Sequence, residues 1–546
     1  MRILVAQVNP IVGDLAGNTR KIIEFIEYGK KSQAEIVLFS ELTICGYPPE
    51  DLVLHRSFID KMEQCLEEII LASKGIAVIV GLARRNLSGG EKHLLNSAAI
   101  INDGTLMGFQ DKWLLPTYDV FDERRYFEPG HDTRIWEIGG KRVGVIICED
   151  IWQHAGYVDS TRYERDPVIA LIPHKPDVLL NLSASPYQFQ KPDIRVQVCC
   201  KASSTLKCPV LLCCQVGANG QIVFDGYSVY INKEGVLCQL GKGFEEDKMI
   251  VDLDAKSCAC PFVYDDMGNL LNALILGVKD YFAKFHFQKA CVGISGGIDS
   301  ALVAYIATEA LGKENILGIS MPSRYTRETS KNDAKKMAEN LGIAFLEISI
   351  EPPFSGFLEL LTPYFQGKPC DVTEENIQAR IRGTILMAMS NKHGYIVLST
   401  GNKSEIALGY CTLYGDMCGG LGVISDVTKT KVYDLCRFIN RKENKEVILN
   451  SIIEKPPSAE LRSNQIDLDA LPEYGIVDNV LEGYVEDYLS IDEIHEKYQI
   501  PKELITDLVR RIHAAEYKRR QGAPILRVSK KSFGVGRRYP IVQGWK

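Results

Sequence analysis

The stretch Cys291–Ala301, CVGISGGIDSA, decides how the second half of this 546-residue chain folds. Its apolar opening reads as a buried strand, Gly296-Gly297 as a turn, and the residues from Ile298 onward as the start of a helix. Around it, helical patterns at 268–286, 299–311, 328–341 and 374–391 alternate with strand-like runs at 289–295, 315–322, 344–350 and 395–401. Serial alternation of this kind predicts a doubly wound parallel α/β domain. The loop then lies beyond the carboxyl end of its strand, where such sheets bind ligands. The two glycines let the backbone approach an anion, the helix start offers free N–H groups, and Ser295 and Ser300 add hydroxyls. No Gly-Lys-Ser/Thr follows, so the lysine of the usual nucleotide-binding loop is missing. Asp299 repels a bare phosphate and makes sense there only with Mg²⁺ between them; otherwise it is a first-turn carboxylate favoured by the helix dipole.

The first 250 residues are patterned differently. Strand-like runs at 3–8, 36–41, 76–82, 142–150, 177–184 and 209–217 are interleaved with helical patterns near 17–31, 57–73 and 192–206. Asp103-Gly104 between two apolar runs signals a hairpin, and YSVYINKEGVLCQL (227–240) repeats the design. Hairpins mixed with helices predict a mixed sheet covered by helices. The expected organisation is therefore two α/β domains, 1–255 and 268–546, with the boundary inside 250–267.

Composition excludes several classes. Hydrophobic residues make up 46% and charged residues 24% of the chain, as in ordinary globular protein. The net charge of −7 offers no basic field for nucleic acid. No apolar run is long enough for a signal-peptide core or a membrane span, so a cytoplasmic protein with no membrane partner is expected. Of the 16 cysteines, the group Cys199, Cys200, Cys208, Cys213 and Cys214 lacks metal-ligand spacing, and buried reduced thiols are expected there.

Three segments of the first half end apolar runs with reactive groups: Glu41 in FSELTICGY, Lys112 in FQDKWLLP and Cys148 in ICEDIW. Together they make a coherent nucleophile set. A carboxylate can take the thiol proton, an ammonium can stabilise thiolate and oxyanion, and the thiol can attack an amide carbon. Singly, each reads as a solvated strand-end charge or a core cysteine.

Two resemblances follow. SGGIDS is similar to the pyrophosphate loop of the N-type ATP pyrophosphatases, which transfer AMP to a substrate oxygen. This implies that Gly293, Ile294, Ser295, Gly296, Gly297, Ile298, Asp299 and Ser300 hold ATP. The Glu41, Lys112 and Cys148 segments resemble, in order, the motifs of the nitrilase superfamily, whose fold is an α-β-β-α sandwich. That resemblance adds Glu123 and Glu149 as supporting carboxylates and Tyr118, Ser185 and Lys191 as glutamine-binding residues.

A nitrilase-type domain ahead of an adenylating domain resembles, over nearly the whole chain, the glutamine-dependent NAD⁺ synthetase family of ligases. In that family ammonia made from glutamine amidates deamido-NAD through an adenylate, giving NAD⁺, AMP and pyrophosphate. The resemblance rests further on EENIQARIRG (374–383), STGNKSEIALGYCTLYGDM (399–417), SDVTKTKVYDL (425–435), KPPSAELRSNQIDLDALPEY (455–474) and EYKRRQGAP (516–524). It implies Asn376, Arg380, Glu405 and Lys518 at deamido-NAD, Thr400 and Lys429 at ATP, Mg²⁺ shared by Asp299 and Glu405, channelled ammonia and a homo-oligomer. GYCTLYGDM departs from the ammonia-only synthetases, which carry a lysine near Leu413. Another glutamine-fed adenylate-forming amidoligase stays open, as does an inactive first domain acting as an interaction module. So do plainer readings of single segments: GNKSE as a helix start capped by Asn402 or Ser404, 414–422 as a lid or a surface loop, and the basic tail from Lys518 as a solvated tail or subunit contact.

Overall fold

Most strands of the first half are buried on both faces, so their alternate residues must pack into two different layers. The computed structural model describes residues 1–157, 162–256 and 258–545, and the chain divides into two units, Met1–Asn269 and Leu270–Lys546. In the first unit one six-stranded sheet runs Asp247–Asp252, Arg2–Gln7, Ile36–Leu38, Ala77–Arg85, Leu94–Asn102, Thr105–Asp111. The second runs Leu237–Leu240, Val229–Ile231, Val210–Cys214, Val178–Ser183, Lys141–Ile147, Ile135–Ile138.

Alternate residues sort into layers. Ile3, Val5, Ile79 and Ile100 of one sheet meet Val143, Val145, Leu180 and Leu211 of the other in a common core. Their sequence neighbours Leu4, Ala6 and Val78 face outward against the helices Leu15–Lys31 and Arg56–Ala72. On the far side Ile146, Leu179 and Leu212 pack with Val198 and Ala202 of the helix Lys191–Leu206. The result is an α-β-β-α sandwich. Asp103 (φ 48°) and Gly104 (φ 73°) form the tight turn between Leu94–Asn102 and Thr105–Asp111, both in the left-handed region such a turn demands.

The second unit holds one parallel sheet, in the order Ala344–Glu347, Ile316–Ser320, Lys289–Gly293, Tyr395–Ser399, Leu421–Gly422. From Lys289–Gly293 the chain winds outward one way, then returns to the other side at Tyr395–Ser399. The loops that leave these two strands therefore flank a topological switch point, where a doubly wound sheet opens a crevice. Among the described residues no helix is long and apolar enough to cross a membrane.

Two expectations are corrected. The strand expected over 142–150 stops at Ile147, because Cys148 turns into the left-handed region at φ 45°. The basic tail is not solvated along its length: Leu526, Val528 and Phe533 are buried, Ile525 bridges to Gly422, and Asp426 accepts the backbone N–H groups of Val528 and Ser529 at 2.8 Å each. Its charges are absorbed locally, with Arg537 and Arg519 both on buried Glu516 at 2.6 and 2.9 Å. Buried apolar residues spaced between those charges pull the segment in.

Candidate active sites

In the first unit, strand ends deliver three side chains to one buried place. Glu41 follows the Ile36–Leu38 strand, Lys112 follows Thr105–Asp111, and Cys148 follows Lys141–Ile147. Lys112 Nζ donates to Glu41 Oε1 at 2.7 Å and to Glu123 Oε1 and Oε2 at 2.8 and 2.9 Å. Asn96 Nδ2 donates to both carboxylates, at 2.8 Å to Glu41 and 3.3 Å to Glu123, and the Tyr47 hydroxyl donates to Glu123 at 2.8 Å. The Cys148 thiol, 5% exposed, accepts from Ser183 Oγ at 3.5 Å. Its left-handed backbone is a strained conformation for a residue with a Cβ, of the kind that cleft-lining groups adopt.

Burial sets the protonation states. It pushes the Cys148 thiol well up, the Glu41 charge adds to this, and Lys112 opposes it. Burial also lifts Glu123 to about 7 against the pull of Lys112, with the Glu41 charge adding to the rise. For Lys112 burial works downward, but Glu123 and Glu41 outweigh it and hold the ammonium charged. The thiol is thus neutral at rest, beside a carboxylate able to take its proton and a fixed positive charge.

The other residues expected here have defined surroundings. Glu149 accepts from the Tyr118 hydroxyl at 3.0 and 3.1 Å and from Tyr163 at 3.3 Å. The Ser185 hydroxyl is buried without a hydrogen-bond partner among the described residues, and the Lys191 ammonium lies 5.3 Å from the Trp152 ring centroid. Sequence reasoning missed Tyr47, Asn96, Tyr163, Ser183 and Asp150. Asp150 Oδ1 accepts from the Trp113 and Leu114 N–H groups at 3.1 and 2.9 Å, tying the turn after the thiol to the segment after Lys112.

In the second unit the loop Ile294–Gly297 borders a cavity of about 290 Å³ lined by Gly293, Ser295, Gly297, Asp299, Ser300, Thr400, Glu405 and Lys429. Gly296 takes φ 78° with its α-carbon pressed on the Ser330 carbonyl, 2.2 Å from where a Cβ would lie, so no other residue fits. Ser295 and Ser300 hydroxyls lie 3.2 Å apart. Asn402 caps the helix Lys403–Leu408, accepting from Glu405 N at 3.0 Å while donating to Asp299 at 3.0 Å. The Lys429 ammonium contacts Asp299 and lies 3.2 Å from Glu405.

Asn376, Arg380 and Lys518 do not line this cavity. They hold the strip 409–413: Asn376 accepts from Thr412 at 2.7 Å, Arg380 donates to Leu413 O at 3.2 Å, and Lys518 donates to Gly409 O and Cys411 O at 2.8 Å each. The helix Val372–His393 turns a different stripe to the cavity, namely Ala379, Arg382, Gly383 and Leu386. Arg382 was missed. Its guanidinium, pushed down to about 10 by burial, joins Lys429 and Lys455 as a cavity cation, in a chain that lacks the lysine near Leu413. The segment Lys455–Leu461 and residues Gly415, Asp416 and Cys418 complete the wall, so the glycine-rich 414–422 stretch is partly cavity lining.

Asp299 and Glu405 suit a Mg²⁺ ion chemically. Both are hard oxygen donors converging on one cation position, now taken by an ammonium. Burial lifts Glu405 to about 7 against the pull of Lys429, with the Asp299 charge adding to the rise. Among the described residues no three His, Cys, Asp or Glu side chains cluster to hold a metal alone, so further ligands would come from phosphate and water.

A carbon-nitrogen hydrolase family model matches residues 2–259 and an NAD synthase family model matches residues 270–522. Fold and sites together define a two-module chain, an amide-hydrolysing unit followed by a nucleotide-dependent synthase unit. A glutamine-dependent NAD(+) synthetase of Synechocystis sp. is 42% identical over 557 residues, covering 100% of this chain and 99% of that one. One of Thermotoga maritima is 39% identical with the same coverage. The solved glutamine-dependent NAD+ synthetase of Acinetobacter baumannii, in complex with ADP, is 36% identical with a TM-score of 0.79 over 100% of this chain and 99% of that chain. The chain belongs to the glutamine-dependent NAD(+) synthetase family.

Proposed function

We propose that the chain hydrolyses glutamine at Cys148 and uses the ammonia to amidate deamido-NAD, consuming ATP and releasing NAD⁺, AMP and pyrophosphate. What carries the reading is one pairing: a buried thiol served by Glu41 and Lys112 in the first unit, and in the second a glycine loop without a γ-phosphate lysine at the switch point.

In the first unit, Glu41 takes the thiol proton as Cys148 Sγ bonds to the amide carbon, and Lys112 faces the oxyanion. The intermediate collapses by expelling ammonia, which carries the proton back from Glu41. Water, deprotonated by Glu41, then cleaves the thioester to glutamate and free thiol. Glu123, Asn96 and Tyr47 hold Lys112 and Glu41 in register.

In the second unit, the deamido-NAD carboxylate oxygen attacks the α-phosphorus, and the bond to the β-phosphate oxygen breaks. Pyrophosphate leaves against the Ser295–Ser300 loop and the cavity cations Arg382, Lys429 and Lys455. Ammonia adds to the acyl carbon, AMP departs with the bonding pair, and the surplus proton is lost to solvent. Bound at Asp299 and Glu405, Mg²⁺ would shield the phosphate charge from the attacking carboxylate. The test is an assay with ATP, Mg²⁺ and deamido-NAD, with and without glutamine. NAD⁺ and AMP in equal amounts support the reading; ADP and phosphate overturn it.

A further inference from the structure

Lys429 occupies the position between the two carboxylates proposed to hold the metal. Its ammonium contacts Asp299 Oδ2 and Glu405 Oε1, its side chain is 2% exposed, and the Tyr474 ring lies 5.3 Å away. Asn402 pins the other Asp299 oxygen at 3.0 Å. The backbone beneath the lysine is fixed as well: Lys429 N donates to Ser404 Oγ at 2.9 Å, and Thr430 donates twice to Asp478, at 2.9 and 2.7 Å. The helix Lys429–Glu443 is thus anchored at its first turn, and the Lys429 side chain is the flexible part of the arrangement.

A dication bound by both carboxylates cannot share that space with the ammonium. At contact distance in a largely buried site, the two positive charges repel strongly. Metal alone would expel Lys429 from its two carboxylates toward cavity acids already engaged elsewhere, Asp467 by Tyr474 and Tyr410, Asp416 by Thr412 N and Glu460 by Ser330, a poorer exchange for a buried ammonium. With nucleotide present the outcome changes. Lys429 lines the same cavity as Ser295, Gly297 and Ser300, so a swing of its side chain places the ammonium among phosphate oxygens.

We infer that Lys429 is a built-in competitor of the metal, which makes divalent-cation binding at Asp299 and Glu405 conditional on nucleotide phosphate. The inference rests on the reading of those two carboxylates as metal ligands. It assigns Lys429 a positioning and ordering role: the site stays electrically closed until ATP arrives, and metal and nucleotide then enter together. Apart from ATP's own affinity for the metal, the protein adds a coupling of about 10- to 100-fold.

The test is Mn²⁺ binding to the full chain without nucleotide, read by the electron paramagnetic resonance of free Mn²⁺. Lys429→Met and Lys429→Gln should each bind Mn²⁺ about 10- to 100-fold more tightly than the unaltered protein, and adding Glu405→Gln should abolish the gain. If the Lys429 variants bind no more tightly while Glu405→Gln weakens Mn²⁺ binding to the ATP complex, the competitor role is wrong and the metal reading stands. If Glu405→Gln changes Mn²⁺ binding in neither state, the metal reading itself fails. Should the lysine variants not fold, acetylation of Lys429 in the unaltered protein decides: rising Mn²⁺ should speed it selectively, and an unchanged rate at saturating Mn²⁺ refutes the displacement.

Discussion

The Lys112 ammonium lies 2.7 Å from Glu41 and 2.8 Å from Glu123, and none of the three side chains is more than 5% exposed. One cation thus serves two buried carboxylates, so removing it strands their charge. Lys112→Met should abolish glutamine use and destabilise the first unit by about 3–5 kcal/mol. Lys112→Met with Glu123→Gln should regain part of that stability but no activity. Urea unfolding of the single and double variants makes the comparison; equal stabilities would show that Glu123 does not share the ion pair.

Cys148→Ala should separate the two reactions. Loss of a covalent nucleophile lowers rate by about 10⁴-fold or more, so glutamine-driven NAD⁺ formation should fall to background while high external ammonia restores it. Both assays use one preparation, so misfolding would depress both. Persistent glutamine use would assign the nucleophile to another thiol.

Asp299→Ala should stop synthesis from glutamine and from ammonia alike, because the loop then lacks its carboxylate toward the metal, and Lys429 keeps Glu405 for itself. Thioester formation on Cys148 should survive, measurable by mass spectrometry of the glutamine-treated protein. Near-normal NAD⁺ output from the variant would remove Asp299 from the mechanism.

Stability should depend on pH through the raised carboxyls. Burial lifts Glu123 and Glu405 to about 7 from the ordinary 4.5, so the folded chain binds these protons more tightly than the unfolded one. Their contribution is fully present below about pH 4.5 and is lost as pH rises through about 7. Glu123→Gln should flatten the decline between pH 5 and 8 by about 1–3 kcal/mol, measured by denaturant unfolding across that range. An unchanged slope would show that Glu123 is ionised throughout.

The linear pattern of residues was enough for the two α/β layouts, because short apolar runs mark strands buried on both faces and a repeat of three to four residues marks helices. It was enough also for Asp103-Gly104, where the turn requires left-handed residues, and for the glycine loop, where only Gly296 tolerates the Ser330 carbonyl. Glu41, Lys112 and Cys148 stood out because each ends an apolar run, and strand ends in such folds converge. What tertiary structure alone decided is which partners those groups keep. Tyr47, Asn96 and Asp150 carry no local signal, since each acts through a contact tens of residues away, as in the 2.8 Å bond from Asn96 to Glu41. Arg380 and Arg382 look equivalent in EENIQARIRG, yet two residues turn a helix by about 200°, so one meets the 413 carbonyl and the other the cavity. The tail reads as solvated by composition, but its buried leucine, valine and phenylalanine and the shared Glu516 fold it in. Lys429 sits on Asp299 and Glu405 for the same reason: a buried charge takes the opposite charges the fold brings within reach, whatever their distance along the chain.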